Sequence, residues 1–131
     1  MKNGLFAFIF IIAVGATGHL GLPWWTMAPV GAVAALLFPQ PPARSFATGF
    51  AAGSLLWYIS AFILNAQNAG MLSAKVGQLF LGMKSIHLLF ITGGLGGVLT
   101  GLGALTGALL RSIFTDRKPQ RYRGKKTTYK F

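Results

Sequence analysis

Acidic side chains are almost absent from this chain of 131 residues, whose single carboxylate side chain belongs to Asp116. Cysteine is absent altogether, which excludes disulfides, thiolate-ligated metals and thiol nucleophiles. Acid–base catalysis commonly needs paired carboxylates, and a serine nucleophile needs a base and an orienting acid. We therefore expect a protein that is not an enzyme and that holds no metal or cofactor.

Charge of either sign is scarce outside the C-terminal segment. Only 10% of the residues are charged and 53% are hydrophobic, with the hydrophobic residues gathered in four runs at residues 4–20, 25–38, 45–64 and 86–113. One ionised group at the centre of a bilayer costs about 2.5 to 3.5 kcal/mol on insertion scales. The sequence therefore predicts an all-α integral membrane bundle of four transmembrane helices.

Turn-forming residues separate these runs. Pro23 and the Trp24-Trp25 pair divide the first run from the second, and the string Pro39-Gln40-Pro41-Pro42 ends the second. Residues 69–85 are less apolar and repeat hydrophobic residues at helical spacing, which predicts a short interfacial helix on the outer side. The first run also resembles a secretory signal, but residues 13–16 offer a poor cleavage site, so we expect it to be retained.

Basic residues are distributed unequally about the predicted spans. Lys2, Arg44 and the eight cations from Arg111 onward lie on one side, whereas Lys75 and Lys84 lie on the other. Loops rich in lysine and arginine stay in the cytoplasm. The bias of ten to two therefore predicts a multi-pass protein of a bacterial inner membrane with both termini in the cytoplasm.

Glycines recur at four-residue spacing in the fourth run, and the third run repeats the spacing. A stripe of small residues lets two helix backbones approach closely. Three interpretations are open: internal packing of the four spans, for example of the third against the fourth, an interface with another subunit, and a glycine-lined conduction path. The predicted packing residues are Gly49, Gly53, Gly93, Gly97, Gly101, Gly103 and Gly107.

A second candidate site combines polar residues at the predicted outer ends of the spans. Two histidines there could meet between helices, but no carboxylate is present to orient them, so interfacial hydrogen bonding is favoured over haem or metal binding. Polar side chains after the third run either bind a polar ligand or satisfy the end of that helix. The residues of this outer polar site are His19, Asn65, Gln67, Asn68 and His87.

The C-terminal segment carries most of the positive charge. Residues 1–113 are expected to form the transmembrane domain, and residues 114–131 a disordered basic tail that cannot bury a core. Cations near a membrane bind anionic lipid at about 1 kcal/mol each, and aromatic rings among arginines also stack on RNA bases. Lipid, RNA or the ribosome, and an acidic protein are all candidate partners. The cations of the tail are Arg117, Lys118, Arg121, Arg123, Lys125, Lys126 and Lys130.

Short strings within residues 20–111 carry a resemblance to known proteins. They include Leu22-Pro23-Trp24-Trp25, Leu36-Leu37-Phe38-Pro39-Gln40, Gln67-Asn68-Ala69-Gly70 and Gly103-Ala104-Leu105-Thr106-Gly107. In these strings the chain resembles uncharacterised small four-span bacterial inner-membrane proteins. The resemblance implies the four-span architecture, carries over no catalytic or ligand residue, and does not extend to the basic tail.

The sequence favours one function and keeps another open. The favoured function is a noncatalytic accessory or scaffolding subunit, which docks its glycine face on a larger membrane complex and binds an anionic cytoplasmic partner through its tail. The alternative is an oligomeric channel or transporter for a small solute, with the outer polar site at its mouth.

Overall fold

Helices make up most of the chain. The computed structural model describes residues 2–18 and 23–115, in which five α-helices and one 3₁₀ turn occur and no β-strand is present. The predicted all-α class is confirmed for these residues. The helices are α1 (Lys2–Gly18), α2 (Met27–Leu37), α3 (Pro42–Gln67), α4 (Met71–Leu79) and α5 (Ser85–Thr115), and the 3₁₀ turn is Trp24–Thr26.

Two of these helices are long and apolar enough to cross a membrane. They are α3, with 26 residues, and α5, with 31. At 1.5 Å per residue α5 is about 46 Å long, more than the roughly 30 Å of a hydrocarbon core. α1 has 17 residues, which is the lower limit for a span, and α2 has only 11. The structure thus shows two candidate membrane-spanning helices where the sequence predicts four.

Proline sets the boundary between α2 and α3. Phe38 is extended after the end of α2, and Pro42 is the first residue of α3. Proline has no N–H group, but the N–H group of the first helical residue would have no hydrogen-bond partner within the helix in any case. α3 begins at Pro42 rather than at residue 45 and continues to Gln67. Asn65 and Gln67, which the sequence places after the span, are therefore part of the helix.

A left-handed turn ends α3. The N–H group of Gly70 donates to Asn65 O (2.9 Å) and that of Ala69 donates to Ala66 O (3.2 Å). This pair of hydrogen bonds is a Schellman motif, which satisfies carbonyl groups that the end of a helix would otherwise leave unpaired. Its left-handed position, usually glycine, is held by Ala69 with φ of 48°.

α4 is a short helix at the same end of the molecule. It covers Met71–Leu79 only, because the turn at Ala69 precedes it and a second turn follows it at Leu81, whose φ is 56°. The helix predicted over residues 69–85 is thus shorter than expected. Leu72 and Leu79 are exposed, so much of the apolar side of α4 is not covered by the rest of the described chain.

The other four helices are arranged in a ring. α5 packs most extensively against α3 and then against α2, while α1 packs against α3 and α2 on the opposite side. α3 and α5 are antiparallel: Ser45 Oγ near the start of α3 donates to Ala104 O (3.2 Å), whereas Gly93 in the first half of α5 faces Ser54. The order around the ring is therefore α1, α2, α5, α3.

α2 runs parallel to α5 and antiparallel to α1. Ala28 of α2 lies against Gly103 of α5, and Ala32 lies against Gly107 one turn later. Asn3 Nδ2 at the start of α1 donates to Pro39 O just after the end of α2 (3.0 Å). α1 and α3 consequently begin at the same end of the bundle.

Small side chains fill the interior, and large apolar side chains cover the outside. One buried cluster joins Ile11, Ala34 and Ala52, each no more than 1% exposed, and another joins Ala35, Ala104 and Ala108. The exposed side chains include Phe6, Ile9, Phe62, Ile63, Phe90, Leu95, Leu102 and Ile113.

The turn at Ala69 can be tested by substitution. An L side chain in the left-handed region costs about 1 to 2 kcal/mol, and glycine loses more backbone freedom on folding, which offsets part of that gain. We therefore expect Ala69→Gly to stabilise the protein by up to about 1 kcal/mol, measured by thermal unfolding in detergent with circular dichroism. The matched variant is Gly70→Ala. Gly70 has φ of 71°, and an added Cβ atom would meet no other atom within 4 Å, so the backbone conformation alone should make this variant destabilising. Equal stability of all three proteins would contradict this account.

Candidate functional site

The predicted glycines of α5 lie in contacts within the chain. Gly93, Gly97 and Gly101 lie against α3, and Gly103 and Gly107 lie against α2; all five are buried. Each set keeps the four-residue spacing that places its members on one face of a helix. The glycine face of α5, defined by these five residues, is therefore occupied by α2 and α3.

Carbonyl oxygens of α3 lie where glycine side chains would otherwise begin. A Cβ atom built on Gly97 would lie 2.8 Å from Phe50 O, and one built on Gly101 would lie 3.2 Å from Phe46 O. The separation at Gly97 is too short for a methyl group, and the separation at Gly101 would require α3 to shift by a few tenths of an ångström. They suit a glycine Cα–H group, which makes weak hydrogen bonds to carbonyl oxygens across helix interfaces. Glycine is required here for close approach of two backbones.

α2 approaches α5 in the same way, a contact that the sequence analysis missed. A Cβ atom on Gly103 would lie 2.9 Å from the Cα atom of Ala28, and one on Gly107 would lie 2.9 Å from that of Ala32. The signal was present in the sequence, because the second run also carries small residues at helical spacing. They are Ala28, Gly31, Ala32 and Ala35.

Thr100 is the point at which three helices meet. Its carbonyl oxygen faces Gly31 of α2 and Gly49 of α3, and its hydroxyl group faces Gly53. Thr100 is fully buried, and Oγ1 donates to Gly96 O one turn earlier (2.8 Å), so its polar group is satisfied within its own helix. The sequence analysis predicted Gly49 and Gly53 as packing residues but not Thr100 or Gly31.

The predicted outer polar site is divided in the structure. Asn65 is half-buried, and its Oδ1 accepts a hydrogen bond from Ser73 Oγ of α4, which also lies 2.9 Å from Ser85 Oγ at the start of α5. This cluster joins the ends of three helices, so Asn65 has a structural role there. The other predicted residues do not join it: Gln67, Asn68 and His87 are exposed, and His19 lies outside the described residues.

A cavity of about 330 Å³ lies between the 3₁₀ turn, α3 and α5. Its walls are mainly apolar and include Trp24 and Trp57. Its three hydroxyl groups, those of Thr26, Ser60 and Thr92, each donate to a backbone carbonyl in the same local segment, at 2.7 to 2.9 Å. Because these donors are already used, the cavity suits an apolar group better than a polar solute.

Cations gather at the two ends of the bundle. Lys2 and Arg44 line one groove, and Arg111 lines an adjoining pocket, whereas Lys75 and Lys84 lie at the opposite end, within and after α4. The described residues contain neither aspartate nor glutamate, so no side-chain ion pair forms among them. They also contain no group of three or more potential metal-ligating residues. The tail cations lie outside the described residues.

Substitution of two glycines in α5 tests whether the lack of a side chain is needed for packing at one position and not at the other. Gly103→Ala places a methyl group on the backbone of Ala28, which cannot rotate away, so we expect a loss of about 1 to 3 kcal/mol in the free energy of unfolding. The matched control is Gly94→Ala, on the same helix with nothing within 4 Å of the new atom. Unfolding titrations in mixed micelles measure both. A loss of the same size in the control would refute the packing explanation.

The features that bear on function are the packed glycine face, the apolar cavity beside the 3₁₀ turn, and the cations at both ends. Comparison with protein-family models, with curated proteins and with solved structures finds no match for this chain.

Proposed function

We propose that the chain is a noncatalytic integral membrane protein of four spans that serves a larger membrane assembly as an accessory or scaffolding subunit. The observation that carries this proposal is the distribution of side-chain size, with small residues inside and large apolar residues outside. A surface of this kind is unfavourable in water but as well solvated by lipid tails as by a protein core. α5 carries no charge between Ser85 and Leu110, which supports the same conclusion.

The proposal of four spans is supported by the way the shorter helices lie alongside the longer ones. α1 is about 26 Å long and lies alongside α3, and the segment Trp24–Leu37 lies alongside α5 and is about 21 Å long. Both are apolar, and both would be in the hydrocarbon layer that α3 and α5 cross. A bilayer thins locally to match a short span. Trp24 and Trp25 are exposed at one end of the segment, a position typical of the headgroup zone.

The proposed orientation places both termini in the cytoplasm of a bacterial cell. Lys2, Arg44 and Arg111 lie at one end of the bundle, in adjoining cavities, and the basic tail follows α5 at this end. Among the described lysines and arginines, Lys75 and Lys84 alone lie at the other end. The positive-inside rule then assigns the first end to the cytoplasm and α4 to the outer surface.

An accessory role is supported by the exposed apolar side chains on the surface of the bundle and by the close packing of its middle. Ile11, Ala34 and Ala52 fill the middle of the ring, which argues against a wide conduction path there. Because α2 and α3 cover the glycine face, a partner would dock on the large outer side chains or on the exposed apolar residues of α4, such as Leu72 and Leu79. The tail provides cations for an anionic cytoplasmic partner.

Purification tests the proposed role against the transporter alternative. The full chain, extracted in mild detergent from its native membrane, should copurify with a defined larger membrane protein that mass spectrometry identifies. Leu72→Ser with Leu79→Ser should reduce this recovery. The matched comparison is the same change at Leu95 and Leu102, which are exposed on α5, and it should leave recovery unchanged if the partner docks on α4. A homo-oligomer that moves a solute across liposomes, with no copurifying protein, would instead establish the transporter.

Deleting residues 116–131 tests the role of the tail. The truncated chain should keep the helical circular dichroism of the full chain but bind less to vesicles of anionic lipid or to RNA. The difference should shrink as salt rises, because both contacts are electrostatic. Flotation of each protein with vesicles at two salt concentrations, with gel shifts on RNA, measures the effect. Attachment that is unchanged by the deletion would remove the tail from the proposal.

A further inference from the structure

We propose that a groove between the first turns of α1 and α3 binds one anionic phospholipid, with the headgroup phosphate at its rim and an acyl chain along its floor. This inference rests on the membrane embedding proposed above and adds a lipid site on the helical domain itself, separate from the tail. The groove has a volume of about 940 Å³. Lys2, Arg44 and Gln40 lie at its polar end, and Phe8, Ala47 and Ala51 line its apolar part.

The two cations at the rim have no anionic partner in the described chain. Lys2 and Arg44 are both exposed, and neither aspartate nor glutamate occurs among the described residues. A guanidinium group binds phosphate through two parallel N–H···O hydrogen bonds, and a lysine adds a second point charge. A phosphate diester between them would neutralise charge that the described residues leave unpaired.

The backbone adds to the positive potential of this groove. α1 and α3 both begin here, so two helix N-termini, each equivalent to a partial positive charge, flank the same space. Neither first turn contains an acidic residue, and no side chain caps the N-terminus of α3. Cations at helix N-termini oppose the helix dipole. Lys2 and Arg44 therefore occupy unfavourable positions unless an anion is present between them.

A buried amide provides a further hydrogen-bond donor. Gln40 Oε1 accepts from Thr48 Oγ1 (3.1 Å), while Gln40 Nε2 is shielded from solvent and has no hydrogen-bond partner among the described residues. Leaving a buried donor unpaired costs about 1 to 3 kcal/mol in general. An oxygen of a phosphate or of a glycerol ester would accept this hydrogen bond if the Gln40 amide turned toward the groove that the residue lines.

The apolar part of the groove favours a phospholipid over a free phosphate ion. Leu5 and Phe8 of α1 face Ala47 and Ala51 of α3, one and two turns from the rim. The two alanines leave a shallow channel that runs toward the middle of the bundle. Inorganic phosphate would use only the rim, whereas a phospholipid fills the rim and the channel together, so the occupant inferred here is the lipid.

Thermal unfolding of the full-length chain in a neutral detergent tests the site. Short-chain phosphatidylglycerol should raise the unfolding midpoint, because a ligand that binds only the folded state stabilises it. A lipid held by the tail alone, in folded and unfolded chains alike, shifts no midpoint. Phosphatidylcholine and inorganic phosphate at equal concentration should each have a much smaller effect. An equal effect of either one would overturn the proposal, since charge or the acyl chain would then be irrelevant.

Two variants and one control locate the site. Lys2→Gln with Arg44→Gln should weaken phosphatidylglycerol binding roughly 30-fold, from about 1 kcal/mol per cation. Ala51→Phe should block the channel and weaken lipid binding while both cations remain. The control, Lys75→Gln with Lys84→Gln, removes the same charge at the opposite end and should bind as the natural chain does. Unchanged binding in the first two variants, or an equal loss in the control, would overturn the proposal.

A separate measurement distinguishes failure of the lipid site from failure of the proposed function. Reporters that are active on only one side of the membrane, fused after Phe131 and within residues 80–84, determine whether the chain is embedded as proposed. If the topology is as proposed and phosphatidylglycerol stabilises no better than phosphatidylcholine, the lipid site alone is wrong. If the chain is soluble without detergent, the membrane role itself is wrong.

Discussion

The bundle depends on how closely the backbone of α5 approaches α2 and α3 at Thr100. Gly31 and Gly49 face the carbonyl oxygen of this one residue from two different helices, and Gly53 faces its hydroxyl group. Apolar side chains are as well solvated by lipid tails as by a protein interior, so the hydrophobic effect does not bring helices together in a membrane. The helices associate instead through dispersion and weak polar contacts. Both decrease steeply with distance. Glycine at each contact is what keeps the distance short.

This close packing determines where the larger side chains are found. With glycine and alanine occupying the interfaces, large residues such as Phe62 and Leu95 lie on the outside. Hydroxyl groups inside the bundle differ in their partners: Thr100 Oγ1 donates to its own helix, whereas Ser45 Oγ of α3 donates to Ala104 O of α5. The charged side chains of the described residues lie at the two ends of the bundle, so we expect specific recognition of a charged ligand by the helical domain to occur there.

The sequence allowed the elements to be predicted better than their contacts. Apolar runs and prolines act locally, so the helical class and the break at Pro39 to Pro42 are visible without a structure. Spacing shows that Gly97 lies on a face of small residues, but not which helix meets it. The outer polar residues were chosen for their chemistry, whereas Ser73 matters through its position between Asn65 and Ser85, which only the fold provides. Lys2 and Arg44 are far apart in sequence and were used only for orientation.

The near absence of acidic residues has different consequences at the two ends of the bundle. At the end with α4, Lys75 and Lys84 are exposed on a short helix and a turn, where water and salt screen them. At the other end, Lys2 and Arg44 are also exposed, but they lie beside two helix N-termini and at the rim of an apolar groove, where the backbone potential has the same sign as their charge. Charge repulsion there is not relieved by any residue of the described chain. No acidic side chain among the described residues neutralises this end, and in a bilayer the most abundant anion at that depth is a phospholipid headgroup, which is the proposed occupant of the groove.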